Sequence, residues 1–521
     1  FFYTGEQFFA MKLKTLILSL LLGLTHAATC PYSHTTVTRG GSTAKSATEE
    51  SGDDANIVAE LFKKALQIKT GNVYAVPSRM PSRRQIAFQR LQIYMLQHPD
   101  RFVTKRLAPV LAQLLAAAAG AKTFEYGLPG LRAAFGQNFC TSSAVVLSEW
   151  DQLVKDLTSP QARTFRLGTG ILSAKKLPGM VHGGRNTFLL ALSQNGAGGD
   201  GMHEAASMAF MQFTVAKSGS RQQDPVAKAL IAQLAEDYKT KPKRFFTNNR
   251  ECGLYPFMIR YLHYCLFGIN PLDKEKFDTL YDFFYANAAD SASAYYIAGV
   301  GTAVNVVEKG KFHTLLPKVV KIYEESPHFA AMPESFSSKK LSKFEVAHLC
   351  MPIMSIAATV GPKHLLNFSM GHQKFTNFLK GNTLKEVNVL KIWDQIDLDD
   401  RAEVERYLYE CGRISMPVGH SHRVATEEFT VKMLGRNRTF PAGTPIVIPM
   451  YLAMFDENIW GKSTYEFDHN RDNLVKNHMM FQSVGNKHAG RMCPGKFFAM
   501  NMCSEIITEC GKVRREMAKA L

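Results

Sequence analysis

Cysteine is scarce in this chain and never clustered: nine residues are scattered over 521. That density excludes a disulfide scaffold, and the odd count leaves at least one sulfur unpaired. Cys493 has no CxxC or HxxxH partner, and His488 stands alone five residues before it, so zinc has no ligand set there. Long apolar runs are missing as well. The run at residues 16–24 ends at Thr25 and His26, well short of the roughly 20 residues a spanning helix needs. No second segment is apolar enough to span, so no transmembrane segment is expected in the mature chain. RNP, zinc-finger and basic-helix patterns are absent, and so are repeats at solenoid periods. Nucleic acid therefore has no motif behind it.

What is present is the composition of a soluble globular protein with a large core, 46% hydrophobic and 21% charged. The formal charge of +17 and the pI near 9.3 come from lysines and arginines spread along the whole length. Without a motif, that excess singles out no partner: contact with an anionic membrane surface or an acidic glycan is as open on charge as nucleic acid, which is not expected. From Met11 the chain runs basic, then apolar, then small-sided to Ala27, the layout of a secretory signal peptide over 11–27. Residues 1–10 read as translated leader, 28–56 as a flexible polar leader, and 57–121 as a helical N-terminal extension. The remainder, 122–521, reads as one domain. A secreted protein is the expectation, with the ER lumen or anchoring in the ER membrane as the alternative.

Apolar periodicity predicts helices over 204–217, 225–239, 255–267, 275–288, 312–325, 341–366 and 399–414. Ser148 is the expected N-cap of the helix that follows the short β run AVVLSEW. Strands are expected at EFTVKML and TPIVIPMYL, with a turn at RNRTFPAGT between them. The fold class is mainly α with small β-sheets (α+β). Asn367-Phe-Ser369 and Asn437-Arg-Thr439 are permissible glycan acceptors, the second beside turn-forming residues.

Chemistry concentrates in GNKHAGRMCPGKFF. A thiolate ligand needs its sulfur kept deprotonated, which backbone N–H groups, a helix N-terminus and positive charge all favour. Pro494 and Gly495 break the chain after Cys493, an amphipathic helix starts near Lys496, and Arg491 adds charge two residues before. From this loop alone two readings stay open: a buried core thiol, or a single fixed thiolate on haem iron. Upstream, Glu410 and Arg413 in YLYECGRISMP lie at i, i+3 on one helix face. Glu403 and Arg406 repeat the spacing, and Arg471 is placed to complete a Glu–Arg–Arg network.

The order ECGR, then FPAGTPIVIPMYLAMFDENIWGKSTYEFDHNRDN, then a Cys-Pro-Gly loop resembles the C-terminal third of a cytochrome P450. The resemblance extends over about 125–515 and implies a cytochrome P450-like haem domain over 122–521 with haem b as cofactor. It implies Cys493 as the axial ligand of the haem iron and Glu410, Arg413 and Arg471 as the structural network. Arg491 would meet a haem propionate, as would His203 in GGDGMHEAASMAF. Gly485 and Gly495 would shape the loop.

The chain departs from the family pattern at both faces of the expected haem. The usual Phe and Gly positions before the ligand hold Asn486 and Ala489, while Phe481 and Gly485 are displaced as if residues were inserted. That spacing resembles the bacterial fatty-acid peroxygenase branch, and hydroperoxide-rearranging branches also lengthen this loop. The segment 343–368, expected as the distal helix, lacks the acid–alcohol pattern G-x-[DE]-T. It carries Met351-Pro352 where the peroxygenase branch has Arg-Pro, so the proline kink is kept and the carboxylate clamp is not. Met351, Pro352 and His348 are the candidate distal residues, with a packed core histidine as the plain reading of His348. Thr359 has an equally plain reading as a helical threonine bonded to its own backbone. Arg166 and Arg185 are candidates to replace the missing carboxylate partner.

Without the acid–alcohol pair, reductive splitting of dioxygen lacks its general acid. The expected activity is therefore oxidation of a small apolar, lipid-like substrate with hydrogen peroxide or a lipid hydroperoxide. A reductase-dependent monooxygenase anchored in the ER is the first alternative, and a non-catalytic haem-binding or ligand-carrying protein is the second.

Overall fold

The computed structural model describes residues 60, 63–64, 81–101, 104, 111, 124–141, 144–151, 153–154, 181–182, 185–186, 219, 221–285, 306–331, 346–347, 354, 360–372, 388–419, 421–425, 427–482, 484–485 and 492–520. Its long helices are α1 (Arg83–Gln97), α2 (Phe124–Phe135), α3 (Pro225–Thr240), α4 (Leu254–Phe267), α5 (Lys274–Phe284), α6 (Val306–Glu324), α7 (Val360–Ser369), α8 (Arg401–Ile414) and α9 (Lys496–Lys519). The strands are β1 (Asn138–Cys140), β2 (Val145–Leu147), β3 (Val181–His182), β4 (Arg185–Asn186), β5 (Ser421–Val424), β6 (Phe429–Met433), β7 (Arg436–Phe440) and β8 (Pro445–Ile448). Mainly α with small sheets is thus the observed class.

Local chemistry sets the helix starts. Asp224 caps α3 by accepting from Ala227 N–H, and Pro225 takes the first helical position, where its missing donor costs nothing. Asp273 caps α5 and Asp400 caps α8 in the same way. α4 begins after Gly253 and ends on left-handed Gly268. The expected windows near 225, 255, 275, 312 and 399 are all helical, although α6 starts earlier than expected and runs through Pro317. The 204–217 window lies outside the described residues. Of 341–366, the described part is residues 346–347, residue 354 and the start of α7.

Three local expectations are corrected. Ser148 does not cap the following helix; its hydroxyl donates to the Gln137 carbonyl, and the helical bond from Leu153 N–H reaches Glu149. In RNRTFPAGT the first five residues are strand β7, not turn. The reversal comes earlier, at Leu434 and Gly435, both with positive φ (51° and 74°), the two-residue geometry that suits a twisted hairpin. In TPIVIPMYL the strand stops at Ile448. Pro449 cannot donate to a ladder, and Met450–Ala453 wind into a helical turn.

The main sheet has the order β1-β2-β8-β5. β2 and β8 pair in parallel, Val145 opposite Ile446, and β5 runs antiparallel to β8. α1 lies inside the 57–121 stretch and packs on this sheet and on β7. There the Gln89 amide bonds both the carbonyl and the N–H of Cys140, at 2.8 and 2.9 Å. α9 packs on α3 and α8, with Met502, Cys503, Ile506, Ile507 and Cys510 all buried. The two sequons separate on burial. Asn437 is exposed on the β6–β7 hairpin, whereas Ser369 is fully buried and its hydroxyl donates to the Leu366 carbonyl.

Candidate functional site

α8 supplies the first part of the site because its buried face carries Tyr409, Glu410, Gly412 and Arg413 together. Glu410 and Arg413 are both 0% exposed. Arg413 Nε and Nη2 donate to the two Glu410 oxygens at 2.8 and 2.9 Å, a bidentate pair. The remaining Arg413 donors reach the Met454 carbonyl at 2.8 Å and the Glu466 carbonyl at 3.1 Å. Phe455 and Trp460 flank its guanidinium, each ring centroid 5.5 Å away. Glu410 also accepts from Asp468 N–H at 2.9 Å. Arg471 approaches the same carboxylate at 3.5 Å and ties down the Trp460 and Glu466 carbonyls. Burial lowers the pKa of Arg471, repulsion from Arg413 adds to this, and Glu410 opposes both. The expected Glu–Arg–Arg network is present. The competing pair is not: Glu403 faces His469 at 3.5 Å, and Arg401 pairs with Glu405.

The second part is the loop before α9. Cys493 donates its backbone N–H to the Phe481 carbonyl at 2.8 Å, which seats the cysteine against the preceding loop. Burial raises its thiol pKa, while the Gly495 N–H and the Lys496 charge pull it back. Among the described cysteines, Cys140, Cys252, Cys265, Cys411, Cys503 and Cys510 are buried and Cys493 is only partly so. Among the described residues, a Cβ placed on Gly495 would meet just the Cys493 sulfur, at 4.0 Å. Gly485 is needed for its conformation. It has φ +59°, and a Cβ there would sit 2.4 Å from the Lys476 carbonyl oxygen.

Two side chains that hold this loop escape sequence reasoning. Lys496 is 2% exposed, and its ammonium donates to the Gly485 carbonyl at 2.7 Å, joining the two ends of the ligand loop. Burial lowers its pKa and proximity to Cys493 opposes that. His478 is buried between the loop and α8. Its Nε2 donates to the Tyr409 carbonyl at 2.7 Å and its Nδ1 accepts from Met480 N–H at 2.9 Å, so the ring is neutral. Burial pushes its pKa down to about 3. Gly412 makes this contact possible, since a Cβ there would lie 2.4 Å from the Met480 sulfur.

A third omission is Arg423 on β5, 2% exposed. Strand alternation puts it on the face of Ser421, whose hydroxyl donates to Gln482 Oε1 at 3.4 Å, so this buried cation stands on the loop side of β5. Arg132 of α2 is fully buried as well, reaching the Leu452 carbonyl at 3.1 Å and Asp456 at 3.8 Å.

The structure thus brings Cys493, Gly485, Gly495, Glu410, Arg413 and Arg471 into one region. Met351, Pro352, His348, His203, Arg491, Thr359 and Arg166 lie outside the described residues, as does the side chain of Arg185. No group of three His, Cys, Asp or Glu able to hold a metal occurs among the described residues. One sulfur with a backbone N–H and a nearby cation suits a cofactor that brings its remaining ligands with it. The described residues therefore fit haem. Among the described residues, no helix is long and apolar enough to cross a membrane.

No family model matches the chain, and no curated protein does. Solved structures to which it is similar include P450BioI in complex with hexadec-9Z-enoic acid ligated acyl carrier protein, at 16% identity over 70% of this chain and 84% of that one, TM-score 0.48. Substrate-free CYP109E1 from Bacillus megaterium matches at 16% identity over 70% and 84%, TM-score 0.46. Cytochrome P450 CREJ matches at 13% identity over 70% and 83%, TM-score 0.47. All three of these similar structures are cytochrome P450s.

Proposed function

We propose that the chain is a haem-thiolate oxidoreductase of the cytochrome P450 type. Within that class we read it as a secreted enzyme that uses hydrogen peroxide or a lipid hydroperoxide on an apolar, fatty-acid-like substrate. The observation that carries the class is Cys493, a partly buried cysteine whose sulfur receives the Gly495 N–H at the start of α9. Haem b bound there would supply cleavage of an O–O bond, which a thiolate ligand promotes.

The described residues have positioning roles. Cys493 would ligate the iron, and its N–H bond to Phe481 fixes where the sulfur points. Gly495 donates to the sulfur and Lys496 supplies positive charge beside it, both of which favour the anionic ligand. Arg423 stands as a buried cation on the loop side of β5, suited to an anionic edge of the cofactor. Glu410, Arg413 and Arg471 hold the segment 454–471 against α8. Arg491 and His203 are proposed to bind haem propionates.

The preference for peroxide over dioxygen rests on the sequence of 343–368, which offers no acid–alcohol pair, and on Met351-Pro352 in the expected distal wall. The signal-like 11–27 segment supports secretion, where a reductase would be missing. A reduced carbon-monoxide difference spectrum of the wild type and Cys493→Ala tests the class. A wild type without the red-shifted thiolate band ends the proposal. Supplying hydrogen peroxide with a fatty acid, then a fatty-acid hydroperoxide alone, separates oxygen insertion from rearrangement. NADPH-dependent turnover with a reductase would establish the monooxygenase instead.

A further inference from the structure

α1 presents an unusual face to solvent. Arg83, Arg84, Ala87, Arg90, Leu91 and Tyr94 are its exposed residues, and they fall on one arc of the helix. The opposite arc, Gln85, Gln89, Gln92, Ile93, Met95 and Leu96, is buried. Three of the six outward residues are arginines, none is acidic, and Leu91 and Tyr94 are 42% and 40% exposed. Just beyond the helix end, the Arg101 guanidinium lies 5.4 Å from the centre of the Tyr94 ring, adding a fourth cation beside the same face. Asp100, next to it, is the nearest acid in sequence.

The charge works against the helix that carries it. Arg83 and Arg84 occupy the first turn, where the macrodipole already presents positive potential and where no acid is found. The capping box that starts α1 is neutral, formed by Ser82 and Gln85. A helix built for stability alone would place acids in that turn. An adjacent anionic surface reverses the sign of the effect, because it meets both the arginines and the dipole.

We infer that the outward face of α1 binds an anionic lipid surface, lying parallel to it with Leu91 and Tyr94 at the boundary between headgroups and acyl chains. The arginines supply the attraction and lie around two apolar side chains, the composition of an interfacial helix. Those two side chains favour lipid over an acidic glycan or nucleic acid, to which Leu91 would contribute nothing. This places at one helix the anionic contact that the net charge of +17 leaves unlocated. It does not rest on the haem proposal, and a vesicle readout is blind to haem.

The test is co-sedimentation of the full chain with phosphatidylcholine vesicles, with and without 30 mol% phosphatidylserine as an order-of-magnitude choice (roughly the anionic fraction that gives a strong surface potential). Binding is expected with phosphatidylserine only, falling as salt is raised. Arg84→Glu with Arg90→Glu is expected to lower partitioning by roughly tenfold or more, each basic residue near a surface being worth about fivefold. Leu91→Ser with Tyr94→Ser is expected to weaken it while leaving the salt dependence in place. Acidic residues suit the first turn, so the charge variants keep α1, which far-UV circular dichroism checks. Equal binding to both vesicles overturns the inference, as does binding that neither double variant changes. Capture by immobilised heparin without any vesicle binding overturns it too, in favour of an acidic glycan.

Discussion

Arg413 meets Glu410 through two hydrogen bonds of 2.8 and 2.9 Å where neither side chain has any solvent exposure. A pair so placed contributes little net stability against apolar replacements, but it is costly to break on one side only. Glu410→Gln or Arg413→Met alone is expected to lose about 3–5 kcal/mol, read from urea denaturation. The joint change Glu410→Met with Arg413→Met is expected to lose less than the two single losses combined. Additive losses would mean the two residues act separately.

Cys493→Ala removes one sulfur from a loop whose backbone bond to Phe481 does not depend on it. The expected outcome is a folded protein with unchanged far-UV circular dichroism and no red-shifted carbon-monoxide band. Cys503→Ala is the control, since that thiol is buried in α9 and burial pushes it up to about 12. It should keep the band.

Lys496→Met leaves the Gly485 carbonyl without its ammonium donor and removes the charge beside Cys493. A loss of about 1–3 kcal/mol is expected from the lost ammonium bond. The haem-loaded protein is expected to convert to an unshifted carbon-monoxide band at lower temperature than the wild type. Lys496→Arg should restore the charge and part of the band stability. If both variants behave as wild type, Lys496 has no part in holding the ligand loop.

Acid should unfold this protein sharply. His478 has its pKa pushed down to about 3, and His263 and His364 to about 4, in each case chiefly by burial. The unfolded chain, with these rings near 6.5, binds protons that the folded state refuses, so stability falls as pH drops below 6.5. While pH stays above the folded values, each histidine contributes a slope of about 1.4 kcal/mol per pH unit. Urea midpoints from pH 7 to 4 should show this. His263→Phe, which replaces a ring contacting Ile259 and Tyr323, should flatten the curve. An unchanged slope would show that His263 is not the titrating group.

What was readable in the sequence follows distance along the chain. Glu410 and Arg413 are three residues apart on a helix, and Cys493 and Gly495 flank a chain break, so spacing alone puts them together. Lys496 and His478 were not readable, because their roles depend on loop carbonyls at Gly485 and Tyr409. Arg423 looks like any strand residue until β5 is set against the 479–485 loop. The turn at RNRTFPAGT was misplaced because Leu434-Gly435 lacks the Asn or Asp that usually marks a two-residue hairpin. Nothing in the local composition of Glu403 and Arg406 separates them from Glu410 and Arg413. Only burial does.

The parallel pairing of Val145 with Ile446 has a consequence for biosynthesis. A strand near the start of the domain waits for a partner that the ribosome makes 301 residues later, by the difference of these two positions. At about 5–20 residues per second, β2 spends tens of seconds with an open edge. β1 can shield one side of it through their antiparallel hairpin, but the other side is the template for β8. Chains that stall before position 446 should therefore be the aggregation-prone species, and cells making this protein would depend on chaperones during elongation more than after release.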